Sequence, residues 1–234
     1  MNQALVVYAH PEPRSFTAAL RETVVAGLAG QGYGVEVSDL YAMGFNPVLS
    51  REDFLHETAG PALAYTREQR FGFRNGSLAP DIAAEAGRVL AADLLVLVFP
   101  VYWFDTPAIL KGWFDRVLLS GPMYGGRQMY DGGGMTGRRA LVVASLGGRP
   151  HMFGPGAVHG ELGTGMLSHL LRGTLGVLGY RVLEPFFAYH APFVSDEARA
   201  GMLDDLGRQI AGIETRAALP MPSLADYDET LRPK

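Results

Sequence analysis

The chain has 234 residues, and 48% of them are hydrophobic, which is enough for one well-filled core. Its 20 basic and 24 acidic residues give a formal charge of −4, and no run of lysine or arginine offsets it, so the composition argues against a nucleic-acid partner. Cysteine is absent, which excludes disulfides, thiolate catalysis and cysteine-built metal sites and agrees with a reducing compartment.

Nothing in the sequence predicts insertion into a membrane. The first ten residues have neither a basic region nor a long apolar core, so we expect no secretory signal. The longest apolar runs are about 8 residues, well short of the roughly 20 that a membrane-spanning helix needs. The sequence therefore predicts a cytoplasmic protein. Its histidines and carboxylates are not spaced as metal ligands, so we expect no metal site.

Short apolar runs alternate with helical patterns along the chain. The predicted strands cover 4–9, 34–38, 94–99, 140–144 and 180–187. The clearest predicted helices cover 15–29, 81–90, 106–118, 166–178 and 195–213. Strands without polar alternation are typical of parallel sheets that are covered on both faces. The sequence predicts an α/β fold with a doubly wound, five-stranded parallel sheet, in a single domain over 1–234 whose residues 220–234 form an extended tail.

Two details of this pattern are specific predictions about local structure. Thr106 and Pro107 are placed as the N-cap and first turn of the third helix. The segment 41–80 has no clear periodicity and contains turn signals such as Asn46-Pro47 and Gly60-Pro61. Because forty irregular residues are long for a compact domain, we expect short helices within it, first of all over 51–56.

Ligands of doubly wound sheets bind beyond the carboxyl ends of the strands, and three of those ends carry unusual residues. The loop after the first strand offers His10, Ser15 and Thr17 as donors beside Phe16, where a helix begins. Side-chain donors next to a helix N-terminus suit a phosphate or pyrophosphate. The alternative is an ordinary loop in which Ser15 only caps the helix.

The second strand end is an aromatic turn. Pro100 and Val101 are followed directly by Tyr102, Trp103 and Phe104. Three rings at the end of a parallel strand can line the binding site of a flat, conjugated cofactor, and the backbone amides there can bond its edge. The alternative is simple packing of the loop against the next helix.

The third strand end is Ser145, Leu146, Gly147 and Gly148. Paired glycines after a strand let the backbone approach a ligand closely, although a plain turn explains them as well. Farther along, His159 could donate a hydrogen bond or move a proton near neutral pH. A surface histidine is the alternative, and the region holds other histidines that could serve instead, namely His151, His169 and His190.

Many motifs follow one another in a fixed order along nearly the whole chain. They lie at 8–10, 15–16, 38–43, 45–47, 99–100, 103–104, 107–114, 129–131, 147–148, 159–160 and 182–185. Together they resemble the NAD(P)H:quinone oxidoreductases of the DT-diaphorase type, which have a flavodoxin-like fold. The resemblance implies a flavoprotein that uses FAD, with FMN possible, and NADPH or NADH as electron donor. It also implies ping-pong, two-electron (hydride) reduction of a quinone, and a homodimer with its active sites at the subunit interface.

By position, the resemblance assigns His10, Ser15, Phe16 and Thr17 to the pyrophosphate side of the cofactor. It assigns the isoalloxazine side to Pro100, Val101, Tyr102, Trp103, Phe104, Ser145, Leu146, Gly147 and Gly148.

The resemblance also implies a substrate slot and its reacting groups. Trp103 and Phe104 would line the slot, and Tyr124 resembles a gating tyrosine that the other subunit contributes. His159 keeps the family's catalytic histidine, but Phe153 stands at the family's tyrosine and cannot carry a proton. Tyr102 stands where the family has a glutamine. We predict His159, Phe153 and Tyr102 at the reaction centre.

Other readings of the same residues stay open. An FMN-dependent azo-, nitro- or chromate reductase would share the fold and differ in pocket shape. A regulatory flavoprotein subunit of a membrane transporter would bind flavin but turn over weakly. A binding module without a cofactor is a third reading.

Overall fold

The computed structural model describes residues 1–58 and 62–234, so the Gly60-Pro61 turn signal lies outside the described residues. The strands are β1 (Gln3–Tyr8), β2 (Gly34–Asp39), β3 (Leu94–Pro100), β4 (Arg139–Ser145), β5 (Arg181–Val182) and β6 (Phe186–Ala188). The α-helices are α1 (Phe16–Gly30), α2 (Tyr65–Asn75), α3 (Pro80–Ala91), α4 (Ala108–Val117), α5 (Ser168–Leu170) and α6 (Asp196–Ala211).

The strands form one parallel sheet in the order β2-β1-β3-β4-β5, and β6 also pairs with β4. This confirms the predicted doubly wound α/β fold with five strands in its main order. The predicted last strand is two short strands, because the chain between them contains Pro185, which has no N–H for the ladder. The order reverses beside β1, and the crevice there is where such sheets bind ligands.

Both faces of the sheet are buried, as the unbroken apolar strands predict. Leu95 and Leu97 of β3 pack into the cluster on one face, with Trp113 of α4. Val96 and Val98 pack into the cluster on the other face, which α1 and α6 cover. Side chains of a strand alternate between faces, so a strand buried on both sides has to be apolar throughout.

Serine caps two of the predicted helices, and a third predicted cap is wrong. The Ser15 and Ser195 hydroxyls accept hydrogen bonds from the Ala18 and Ala198 amides, at 3.1 and 3.2 Å. In contrast, α4 begins at Ala108 with Pro107 in the capping position, so Thr106 lies one residue too early to cap it. The Thr106 hydroxyl is buried, and it has no hydrogen-bond partner within residues 1–58 and 62–234.

The irregular segment 41–80 does contain helices, as predicted. A single 3-10 turn covers Arg51–Asp53, inside the predicted 51–56, and α2 is a longer helix that the pattern does not predict. The buried face of α2 is polar, since Glu68 and Gln69 are buried while Phe71 and Phe73 are exposed. An inverted helix of this kind leaves no apolar stripe to detect.

The predicted apolar helix over 166–178 is helical but irregular. Two π-helical stretches, Leu162–Met166 and Leu171–Gly176, flank the short α5. We call residues 162–176 the π-helical segment. Wide turns of this type are rare and often lie at functional sites. Across the described residues, no helix combines the length and apolarity needed to cross a membrane.

Candidate active site

A cavity of about 600 Å³ lies at the carboxyl ends of β1, β3 and β4. It is lined by His10, Arg14, Ser15, Phe16, Thr17, Ala19, Pro100, Val101, Tyr102, Ser145, Leu146, Gly147, Ala191, Pro192 and Arg199. All of the predicted cofactor residues line it except Trp103, Phe104 and Gly148. Three loops that lie far apart in the sequence therefore meet at one cavity beside the reversal in strand order.

The floor of the cavity joins α1 to β4 through two buried hydroxyls. Thr17 Oγ1 lies 2.8 Å from Ser145 Oγ. Ser15 Oγ accepts from the Ala18 amide, which leaves the first-turn amides of Phe16 and Thr17 as the donors that a helix cannot satisfy internally. With the positive end of the helix dipole, these amides form a site suited to phosphate.

The loop before α1 is braced by its own side chains. His10 Nδ1 accepts from the Glu12 amide at 3.0 Å, so a neutral His10 carries its proton on Nε2. Glu12 accepts from the backbone amide and the guanidinium of Arg14, and these two bonds lower the pKa of Glu12. Arg14 thus stands at the cavity with its loop held in place.

Sequence reasoning missed Ala191, Pro192 and Arg199 at the cavity. Arg199 lies on α6 and donates from Nη1 to the Ala191 carbonyl at 3.0 Å, while its Nη2 pairs with Asp196. Neither residue type nor local spacing marks an arginine in the first turn of a distant helix as a cavity residue. Its place depends on how α6 packs beside α1.

The aromatic turn, residues 102–105, is a tight reversal. The backbones of Tyr102 and Asp105 bond each other reciprocally at 3.0 and 2.9 Å. Between them, Trp103 and Phe104 have φ values of 52° and 59°, in the left-handed region. A non-glycine residue there costs about 1–2 kcal/mol, so the turn is strained. Trp103 is 97% exposed, and Tyr102 lies against the cavity.

Three of the predicted substrate residues form an aromatic cluster beside this turn. The His159 ring lies 5.1 Å from the Phe104 ring and 5.3 Å from the Phe153 ring, and the two phenylalanines are 6.4 Å apart. A Cβ at Gly148 would lie 2.6 Å from the Phe153 ring, so the cluster needs glycine there. Tyr189 extends the cluster, with its ring 5.6 Å from that of Phe153.

Tyr124 and Trp103 lie outside the first cavity in the single chain. Tyr124 lines a second cavity of about 410 Å³ together with Tyr65, Lys111 and Asp115. Burial raises the pKa of Tyr124, so this phenol stays protonated. Within the described part of a single copy, Tyr124 therefore does not line the cofactor cavity.

The residues that the structure describes contain no cluster of three or more histidine or carboxylate side chains that could hold a metal ion.

Comparison with known proteins identifies the family. The family model described as the flavodoxin-like fold matches residues 2–210. The chain belongs to the flavodoxin-like family. It is 40% identical over 205 residues to NAD(P)H dehydrogenase [quinone] 1 of Rattus norvegicus, which covers 87% of this chain and 74% of that one. This similarity confirms the predicted resemblance.

Two further comparisons extend the match along the chain. Ribosyldihydronicotinamide dehydrogenase [quinone] of Pongo abelii is 38% identical over 219 residues, covering 93% of this chain and 94% of the other. A solved structure from Klebsiella pneumoniae, described provisionally as a quinone reductase, has a TM-score of 0.92 at 30% identity. The match covers 97% of this flavodoxin-like chain and 91% of the Klebsiella chain.

Proposed function

We propose that this protein is a flavin-dependent NAD(P)H:quinone oxidoreductase. The observation that carries the proposal is the convergence of three predicted loops on one cavity of about 600 Å³. It is supported by 40% identity to a protein named NAD(P)H dehydrogenase [quinone] 1 over 87% of this chain. Fold alone would not support it, because flavodoxin-like sheets serve many functions.

The residues at the cavity fit a flavin. The start of α1 offers amides and the dipole end for a phosphate, and Arg14 and Arg199 add two guanidinium groups. We assign FAD, which the resemblance to the DT-diaphorase type implies. When bound, the flavin supplies the hydride acceptor for NAD(P)H and the hydride donor for the quinone.

The chain's own residues then have distinct tasks. Pro100, Val101 and Tyr102 on one side, and Ser145 to Gly147 on the other, orient the ring system by close backbone approach. The aromatic cluster gives a planar quinone an apolar surface, and His159 donates a hydrogen bond to the quinone oxygen on which charge develops. Phe153 contributes packing only, because it has no hydroxyl.

The active site is completed by a second copy of the chain. Trp103 projects from the strained turn with 97% of its surface exposed. A large exposed ring close to a site is typical of a surface that a partner covers. In the proposed homodimer, Tyr124 of one copy closes the substrate slot of the other. Sedimentation should give a dimer, and a monomer that is fully active would contradict this arrangement.

Steady-state kinetics test the proposed function. The protein is saturated with FAD, and oxidation of NADH or NADPH is followed with a benzoquinone, an azo dye or chromate as acceptor. We expect rapid quinone reduction, with double-reciprocal lines that stay parallel as the second substrate is varied. Reduction of the azo dye or chromate without reduction of the quinone would assign the protein to the other reductase class.

The cytoplasmic location of the protein stays a prediction of the sequence.

A further inference from the structure

His169 and Asp105 form a hydrogen-bonded pair that joins the π-helical segment to the aromatic turn. His169 Nε2 lies 2.8 Å from Asp105 Oδ1, and the two residues are 64 positions apart in the chain. His169 Nδ1 lies 2.9 Å from the backbone carbonyl of Met166. Neither His169 nor Asp105 lines the cofactor cavity or belongs to the aromatic cluster.

The protonation state of His169 decides which of its two contacts are hydrogen bonds. Both ring nitrogens face oxygen atoms that only accept hydrogen bonds, a carbonyl and a carboxylate. A neutral imidazole carries one N–H and can donate to only one of the two oxygens. Both contacts are hydrogen bonds only when the ring is the imidazolium.

Asp105 is the ionised partner of this pair. Burial disfavours its charged form, but the Thr106 amide at 2.6 Å and the His169 ring both donate to it, so the pKa of Asp105 lies below its ordinary value. Asp105 is the charged group that faces the imidazole from the turn, and the Met166 carbonyl faces it from its own segment. The next charged residue along that segment is Arg172, which is exposed.

Asp105 is the residue at which the aromatic turn closes. It closes the turn through its backbone bonds with Tyr102, while Trp103 and Phe104 between them hold left-handed φ values. Tyr102, which precedes the strained pair, lines the cofactor cavity, and Phe104, the second member of the pair, packs 5.1 Å from the His159 ring. A displacement of Asp105 therefore moves residues of both the cavity and the aromatic cluster.

We infer that His169 is a positioning residue, whose imidazolium holds Asp105 and thereby fixes the aromatic turn against the cofactor cavity and the aromatic cluster. We call this contact between His169 and Asp105 the tether. The effect of the tether on catalysis rests on the proposed function, whereas the existence of the tether does not. Both side chains are 49% exposed, so solvent screens the pair. We therefore expect loss of the pair to change the KM for quinone only about two- to fivefold.

The tether depends on the ionised form of Asp105. Because the pKa of Asp105 is lowered, its side of the pair is complete above the ordinary carboxyl range and is lost as the pH falls through the lowered value. The turn is therefore held while Asp105 is ionised and is freer in acid.

Nuclear magnetic resonance tests the tether directly on the purified, flavin-loaded protein. The ring nitrogens of His169 and the backbone amides of Trp103 and Phe104 are followed over about pH 5 to 9. We expect both ring nitrogens to be protonated at the acidic end, and the turn amides to shift whenever the ring nitrogens shift. In His169→Gln and Asp105→Asn these amide shifts should disappear.

Two internal controls make the experiment specific. The indole N–H of Trp113 is buried and donates to Glu85, so its signal should not follow His169. Arg208→Gln removes an exposed pair with Asp205 elsewhere on α6, so it should leave the turn amides unchanged. Turn amides that titrate identically in the wild type and in His169→Gln would overturn the proposal, as would a single-protonated His169 ring at the acidic end.

Kinetics then separate the tether from the proposed function. His169→Gln should raise the KM for quinone about two- to fivefold, with less change in kcat. Equal KM values across the pH range would overturn the catalytic consequence of the tether. If the wild type reduces no quinone at all, the proposed function fails, and the resonance experiment still decides the tether.

Discussion

Thr17 on α1 and Ser145 at the end of β4 meet through their side-chain hydroxyls, 2.8 Å apart and shielded from solvent at the floor of the cavity. They are separated by 128 positions in the chain. Each hydroxyl satisfies the other, so the pair links the helix that points at the proposed phosphate to the strand that carries the Gly147-Gly148 loop. Loss of one member leaves a buried polar atom without a partner.

Thr17→Val should therefore destabilise the protein more than the same substitution at an exposed threonine. We expect the free energy of unfolding to fall by about 1–3 kcal/mol, because the Ser145 hydroxyl stays buried and unpaired. The double variant Thr17→Val, Ser145→Ala should lose less than the sum of the two single variants. Denaturation in urea measures all three. Thr66→Val, on the exposed face of α2, is the matched control, and equal losses in Thr17→Val and this control would contradict the role of the pair.

His159→Ala should reduce quinone turnover about a hundredfold, because it removes the donor aimed at the oxygen where charge develops. His159 does not line the cofactor cavity, so flavin content should stay close to that of the wild type. His159→Gln keeps an N–H donor and should lose less. Turnover is measured at saturating NAD(P)H with bound flavin counted by absorbance. Unchanged turnover in His159→Ala would remove His159 from the mechanism.

Phe153→Tyr should increase quinone turnover by about twofold to tenfold, the effect of one added hydrogen bond. The ring of Phe153 lies 5.3 Å from that of His159, so a hydroxyl there would be placed in the aromatic cluster next to the proposed donor. Phe153→Leu, which adds no hydroxyl, should give no increase. If Phe153→Tyr is no faster than the wild type, the proton needed by the quinone reaches it by another route.

The C-terminal tail should detach only in acid. Asp131 accepts from the Ser223 hydroxyl at 2.6 Å and from the Leu224 amide at 3.0 Å, and these bonds lower the pKa of Asp131. A lowered pKa means that the carboxylate stabilises the docked tail above the ordinary carboxyl range, and that this stabilisation is lost as the pH falls through the lowered value.

Limited proteolysis measures this docking. At neutral pH, Asp131→Asn should make the tail easier to cleave than in the wild type, whereas Asp204→Asn, on the exposed face of α6, should not. In the wild type, cleavage by an acid protease should rise only below the ordinary carboxyl range. A tail that is cut equally fast in Asp131→Asn and wild type would show that other contacts hold it.

Much of this architecture follows from local pattern. The apolar run of β3 predicts a strand buried on both faces, and Ser15 predicts the start of α1 by its capping chemistry. The convergence of the three strand-end loops was also predictable, because parallel strands bring their carboxyl ends to one edge of the sheet.

The remainder depends on contacts between distant parts of the chain. The face of α2 that carries Glu68 is polar and buried, which no periodicity rule detects. Arg199 reaches the cavity only because α6 packs on α1. The bond from His169 to Asp105 joins two segments whose distance in space is set by the fold rather than by the sequence around either residue.

The absorption spectrum of the purified protein before and after anaerobic NADPH tests the proposed flavin chemistry at its first step. Flavin bands near ~450 nm should bleach on addition of NADPH and return on addition of quinone. Heat should then release FAD rather than FMN. A colourless protein that takes up no added flavin would contradict the proposal of a flavin-dependent reductase. The rings of the aromatic turn would then serve only to pack the loop.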